Sequence, residues 1–304
     1  MGIFTSMLTP QPSLPQLAAA LGLSAELCFK REDLHPYGSH KGRSVPLMIK
    51  EHCYKGYENF VISSSGNAAL AAIRAVKDRN ENHGESLLLT VFVGENIDSG
   101  KLKMLKGCED SMIKIIQVAN PKQSAFQMEK EGKAKFLRQS TDDAALIGYK
   151  ELAKELAEIP SLSAVFIPTS SGTTAQGLYE GFKELGINPQ IHIVQTEACH
   201  PMVETRLIAS LPARRNPHVG NSIASAIVDH VAHRKQKVLE VIKNSHGAGW
   251  VVSDEEITSA MNIVKKTTGI EISPNSALSM AGLRKAIEVE AKWKGAVVCL
   301  ITGK

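Results

Sequence analysis

Lys41 stands in the polar stretch Lys30-Arg31-Glu32-Asp33-Leu34-His35-Pro36-Tyr37-Gly38-Ser39-His40-Lys41-Gly42-Arg43. The apolar run Leu27-Cys28-Phe29 before it reads as a strand, Pro36 and Gly38 as a turn, and Val45 to about Lys55 as a helix. Lys41 is therefore expected at the mouth of a strand-turn-helix junction, where partial desolvation frees a lysine amine to attack a carbonyl. A basic turn in water is the simpler account of such a stretch taken alone. Three further stretches change the balance. Ser63-Ser64-Ser65-Gly66-Asn67-Ala68-Ala69 lies between a strand and a helix. Backbone N–H groups at a helix start, beside short hydroxyls, make an anion site suited to a carboxylate, although Ser and Asn also serve as ordinary helix caps. Pro168-Thr169-Ser170-Ser171-Gly172-Thr173-Thr174-Ala175 follows another strand, and small residues there let N–H groups and a helix dipole converge on a phosphate. Thr302 places a hydroxyl just past the last apolar run, where a frayed end is the competing account.

These stretches need elements to position them. Phe60-Val61-Ile62, Leu87 to Val93 and Ile113 to Val118 read as strands, with helices at Asn67 to Arg79 and Ile97 to Leu105 between them. A helical patch near residues 142–158 separates this series from a second one. The second series has strands at Ala164 to Ile167, Ile191 to Val194, Gly249 to Val252 and Val297 to Ile301. Strands alternating with helices predict an α/β chain of two domains, each an open, mostly parallel twisted sheet flanked by helices. Ligands of such sheets bind at strand ends, where all four stretches fall.

Composition narrows the function classes. The apolar content is 43%, ample for real cores, and 35 basic residues against 31 acidic give a net charge of +4. So mild and dispersed a charge argues against nucleic-acid or anionic-membrane partners. No apolar run reaches the ~18–20 residues that span a bilayer, and no signal peptide is visible. The five cysteines, at 28, 53, 108, 199 and 299, are scattered and read as free thiols of a reducing, cytoplasmic compartment. His200, His218, His230, His233 and His246 lack the partners of a tetrahedral set, so no metal is expected. Met1-Gly2-Ile3-Phe4-Thr5-Ser6 fits a loose myristoylation pattern that is too short to carry weight.

The stretch KREDLHPYGSHKGR closely resembles the lysine-bearing segment of the tryptophan-synthase-β-like family, the fold-type II pyridoxal-phosphate (PLP) enzymes. The resemblance runs over about residues 26–304 and implies that Lys41 forms the Schiff base with the cofactor. His40 and Gly42 replace the Phe and Asp that usually flank it. SSSGNAALA resembles the family's asparagine loop, so Asn67 would contact the cofactor's 3′-oxygen while Ser64, Ser65, Gly66 and Asn67 line a substrate carboxylate pocket. Ser65 falls where serine racemases carry a second acid/base. The Ser170-Ser171-Gly172-Thr173-Thr174 stretch resembles the phosphate cup with one glycine instead of several, which puts its geometry in question. Thr302 takes the place of the pyridine partner in the threonine-synthase and dehydratase branch, where a neutral hydroxyl favours elimination or replacement over transamination. The resemblance further implies a larger PLP-binding domain (1–45 and 147–304), a small mobile domain (46–146) with the asparagine loop, PLP in the cleft between them, and a homodimer.

Within the branch, Asn221 to Ile227, Trp250 to Ile257, Ile272 to Ala277 and the LITGK end look most like threonine synthases. Those enzymes read a substrate phosphate partly through an NPYR-like segment, whose arginine position is Ala145 here and whose later threonine position is Glu151. Losing an Arg fork and adding a carboxylate both oppose a phosphate dianion. The expectation is a PLP-dependent enzyme of elimination or replacement on an amino acid, threonine-synthase-like in sequence. Dehydration of serine or threonine to a 2-oxo acid is the first alternative, and a degenerate PLP-binding homologue without catalysis is the second.

Overall fold

The computed structural model describes residues 8–203 and 222–304. The Met1 to Ser6 pattern, His218 and Asn221 lie outside the described residues. The chain divides into two compact units, Met1–His35 with Tyr149–Lys304 and Pro36–Gly148. Helix α1 (Pro15–Ala20) and strand β1 (Leu27–Arg31) open the larger unit. The chain then builds the smaller unit from α2 (Lys41–Tyr54), β2 (Asn59–Ser63), α3 (Asn67–His83), β3 (Leu88–Gly94), α4 (Ser99–Lys106), β4 (Ile113–Val118), α5 (Pro121–Lys130) and β5 (Lys135–Phe136). A 3-10 turn at Asp143–Leu146 leads into α6 (Ile147–Ala157). The larger unit is completed by β6 (Leu162–Pro168), α7 (Thr173–Glu184), β7 (Gln190–Thr196), α8 (Lys235–Asn244), β8 (Gly249–Val252), α9 (Asp254–Thr268), α10 (Pro274–Glu288) and β9 (Ala296–Ile301).

In the larger unit the strands run β1-β9-β6-β7-β8, and every pairing is parallel. Both faces of this sheet are covered, so its strands are largely buried and successive residues serve opposite cores. Phe29, Phe166, Val297 and Cys299 pack toward α1, α9 and α10. Cys28, Val165, Val298 and Leu300 pack toward α6, α7 and α8. Helix α9 shows how local sequence sets its limits. Ser253 and Glu256 form a reciprocal capping box, the first turn is acidic, and Gly269 closes the helix at φ 71°.

The smaller unit has the order β4-β3-β2-β5, again all parallel. Val45, Met48 and Ile49 of α2 join α3 residues over one face, and Ala125 of α5 packs with Val61 and Phe136 on the other.

The structure departs from the sequence reading at two helices and one strand. Helix α2 starts at Lys41, not Val45. Pro46, its sixth residue, gives up the backbone bond to the Gly42 carbonyl, and the helix continues past it. The compact units divide at residues 35/36 and 148/149, which puts Lys41 in the smaller unit. Helix α5 and the two-residue β5 were not anticipated.

Candidate active site

The smaller unit gathers its chemistry at the carboxyl edge of its sheet. Strands β2 and β5 are parallel neighbours. The Ser64-to-Asn67 loop follows β2, and Gln139 follows β5. Lys41 occupies the first residue of α2, half-buried, and its Nζ donates to Gln139 Oε1 at 2.8 Å. It therefore lies on the helix's first turn and not in a preceding loop, because the turn at Gly38 (φ 78°) already delivers the chain in helical conformation at His40.

The asparagine loop is not an ordinary capped helix start. Gly66 takes the cap position of α3, no side chain caps the helix, and Asn67 is its first residue. The orphan N–H groups of that first turn remain available for an anion. Ser64 Oγ instead accepts from Gly66 N at 3.3 Å, which shapes the loop. Ser65 is half-buried beside it.

In the larger unit β6 and β9 are parallel neighbours, with Phe166 opposite Cys299. The phosphate-type loop leaves the carboxyl end of β6, and Thr302 follows β9 at the same edge of the same sheet. The loop needs only one glycine. Gly172 caps α7 with φ 80° and no side-chain cap, while Ser170, Ser171, Thr173 and Thr174 are not among the residues with positive φ. Since only that position demands left-handed backbone, serine and threonine can stand at the others. Gly172 is also pressed against its neighbours: a Cβ there would lie 2.5 Å from Val238 Cγ2. Thr173 and Thr174 are buried at the helix start, and Ser171 Oγ lies 2.9 Å from Thr173 Oγ1. Ser170 Oγ accepts from the N–H groups of Val228 and Asp229, each at 3.4 Å. Uncapped N–H groups, buried hydroxyls and a helix dipole fit a phosphate.

Thr302 is not frayed. It is buried, with Oγ1 3.5 Å from Ser276 Oγ, and the next residue is pinned to the start of α10. Ser273 Oγ and Ser276 Oγ both donate to Gly303 O, at 2.6 and 2.8 Å. Ser276 and Gln139 are the polar groups that sequence reasoning missed; the Ser273-Pro274 helix-start signal could have flagged the first.

Other expected features fall away from these edges. Ala145 is fully buried in the 3-10 turn, and Glu151 is exposed and paired with Lys154 at 2.9 Å. His230 Nδ1 lies 3.8 Å from Cys199 Sγ, and no group of three potential metal ligands occurs among the described residues. Burial pushes the Cys28 thiol up to about 11 and raises Cys299 as well, so both behave as core groups. Among the described residues no helix is long and apolar enough to cross a membrane.

Two parallel sheets under helices, with an amine at one carboxyl edge and an anion cradle at another, define the architecture of the fold-type II pyridoxal-phosphate enzymes. The family profile described as pyridoxal-phosphate dependent enzyme matches residues 7–303, and the chain belongs to that family. Its cofactor is pyridoxal 5′-phosphate, and in sequence it lies near the threonine-synthase and dehydratase branch. The chain is 28% identical to the threonine synthase of Methanocaldococcus jannaschii over 97% of its own length and 74% of that protein's. Threonine synthase of a Bacillus species is 25% identical over 96% and 81%. The fold is shared with threonine deaminase isoform 2 from Solanum lycopersicum (TM-score 0.76, 17% identity, 97% of this chain and 78% of that one). It is also shared with serine racemase from Dictyostelium discoideum (TM-score 0.77, 21% identity, 97% and 91%).

Proposed function

We propose that the protein eliminates or replaces a substituent of a small hydroxy amino acid, serine or threonine, with elimination giving a 2-oxo acid. The observation that carries the choice of substrate is Ala145. It occupies the position of the phosphate-reading arginine and is buried with no cation to offer. Without that fork a phosphorylated substrate loses its bidentate anchor, whereas a hydroxy amino acid needs none.

When bound, PLP supplies an aldehyde for an amine and a ring that accepts the electrons released at an amino acid's α-carbon. Lys41 Nζ is assigned the attachment to the cofactor and, once released, the transfer of the α-proton. Asn67 is assigned the ring oxygen, Ser170 to Thr174 the phosphate, and Thr302 the ring nitrogen. The uncapped start of α3, with Ser64, Ser65 and Gly66, takes the substrate carboxylate. Ser65 Oγ is the candidate for a second proton donor. Thr302, a neutral hydroxyl backed by Ser276, leaves the ring nitrogen unprotonated, which suits elimination. The proposal places the enzyme in the cytoplasm as a homodimer acting on free amino acids, with no metal, nucleic acid or membrane as partner. The larger unit is assigned the cofactor's phosphate and ring nitrogen, and the smaller, asparagine-loop unit the cofactor lysine, the ring oxygen and the substrate carboxylate.

Similarity to threonine synthases along nearly the whole chain favours a second reading, replacement on O-phosphohomoserine. The PLP-loaded protein should be given serine, threonine, O-acetylserine and O-phosphohomoserine separately, with 2-oxo acid and released phosphate assayed. Formation of 2-oxo acid from serine or threonine supports the proposal. Phosphate release from O-phosphohomoserine with threonine formed selects the second reading. Absence of turnover with all four leaves a PLP-binding homologue and refutes both.

A further inference from the structure

Gln139 lies outside every sequence motif, yet its side chain meets the Lys41 amine directly. Lys41 Nζ donates to Gln139 Oε1 at 2.8 Å, across a sequence separation of 98. The amide at the other end is committed: Gln139 Nε2 donates to Ser44 Oγ at 2.6 Å. Ser44 is fully buried on α2, close to Met48 Sδ at 3.9 Å. The Lys41 ammonium can only donate, so the carbonyl oxygen of Gln139 must face it and the N–H group faces Ser44, which gives the amide one orientation.

The segment that carries Gln139 is held on both sides. Leu137 N donates to Val61 O at 2.9 Å, which extends β5 along β2. Asp142 N donates to Arg138 O at 3.1 Å, and the Asp142 carboxylate meets His52 Nε2, on α2, at 2.5 Å. Lys41, Ser44, Met48 and His52 recur at three- and four-residue spacing, so one face of α2 bears both contacts. These bonds fix Gln139 relative to the helix that carries the lysine.

We propose that Gln139 is the positioning residue of Lys41, holding its Nζ by a neutral acceptor that serves the amine in either protonation state. A carboxylate at that place would favour the ammonium form and suppress the nucleophile, while an apolar group would leave the amine unguided. The inference rests on the reading of Lys41 as the cofactor lysine, and it adds the group that aims it. The step concerned is attack of the Lys41 amine on the PLP aldehyde, forming a C=N bond with loss of water.

The test uses the full chain without cofactor. Trace acetylation by acetic anhydride across a pH series, with the Lys41 peptide quantified by mass spectrometry, gives the titration of that amine directly. Gln139→Glu is expected to move the Lys41 labelling curve up by about one pH unit, the low end for a new carboxylate within hydrogen-bond reach. At neutral pH the rate of PLP attachment to Gln139→Glu is expected to fall about tenfold and to recover when the pH is raised by that unit. Gln139→Leu is expected to slow attachment at every pH without moving the labelling curve. Coincident labelling curves for wild type and Gln139→Glu, with or without a loss of thermal stability, would overturn the proposal. Borohydride reduction of PLP-loaded wild type tests the underlying reading separately. A tag on another lysine would remove the cofactor role of Lys41, while a shifted labelling curve would still establish its contact with Gln139.

Discussion

Gly172→Ala probes the proposed phosphate cradle through its backbone. Gly172 is the left-handed cap of α7, and a methyl group there would lie 2.5 Å from Val238 Cγ2 and 3.1 Å from Met202 Sδ. Left-handed backbone costs an alanine about 1–2 kcal/mol, and overpacking against a buried valine adds about 1–3 kcal/mol. Together these give about 2–5 kcal/mol of destabilisation. The steric part belongs to the Val238 contact, whereas the backbone part does not. Gly172→Ala, Val238→Ala and the double variant therefore form a cycle, to be followed by urea unfolding monitored at two wavelengths. The double variant should be more stable than the sum of the singles implies by about 1–3 kcal/mol. The cradle should loosen its anion at the same time. Loss of one charge-assisted N–H contact, about 1.5–3 kcal/mol, weakens PLP binding roughly 10- to 100-fold and leaves binding of unphosphorylated pyridoxal unchanged. Additive single effects, or equal losses for PLP and pyridoxal, would refute the reasoning.

Two further predictions concern the larger unit. Lys30 is 1% exposed and donates to Glu155 Oε2 at 2.6 Å, Thr9 O at 2.9 Å and Gln11 Oε1 at 3.2 Å. Lys30→Met removes the cation paired with a buried carboxylate and should cost about 3–5 kcal/mol, with much of that loss recovered in Lys30→Met/Glu155→Leu, both read by denaturant unfolding. His192 is stacked on Phe166 at 4.3 Å, accepts from Trp250 Nε1 at Nδ1, and is lowered from 6.5 to about 3 by burial. Because the unfolded chain binds its proton first, stability is lost as pH falls from 6.5 toward about 3, and is complete above that window. The loss by pH 5 should be about 2 kcal/mol, should be absent in His192→Phe, and should therefore appear in the difference between the two proteins.

Much of the fold was open to reading because buried parallel strands announce themselves. Ile113 to Val118 and Gly249 to Val252 match the observed strands β4 and β8. Strand β5, with two residues, is too short to leave a pattern, and α5 is a weakly apolar helix with only Ala125 buried. The start of α2 was misplaced because Lys41 to Ser44 carry no apolar residue to announce helical spacing. Local motifs pointed to Lys41, Asn67 and the Gly172 loop, since strand-to-helix turns carry their signals in adjacent residues. Gln139 was invisible for the opposite reason, and Ser276 was legible only as part of a helix start, not as a neighbour of Thr302. Their contacts with Lys41 and Thr302 span separations of 98 and 26 residues, which only the folded sheets close.

The most direct test of the account is the visible absorbance of the protein incubated with PLP, beside Lys41→Ala treated identically, with serine then added to each. Lys41 Nζ stands at the carboxyl edge of the smaller sheet, held at 2.8 Å by Gln139. Wild type should show the red-shifted band of a lysine-bound cofactor, and that band should move on addition of serine as 2-oxo acid accumulates. Lys41→Ala should show only the spectrum of free PLP and form no product. An unchanged band or undiminished turnover in Lys41→Ala would contradict the assignment of Lys41 as the cofactor lysine.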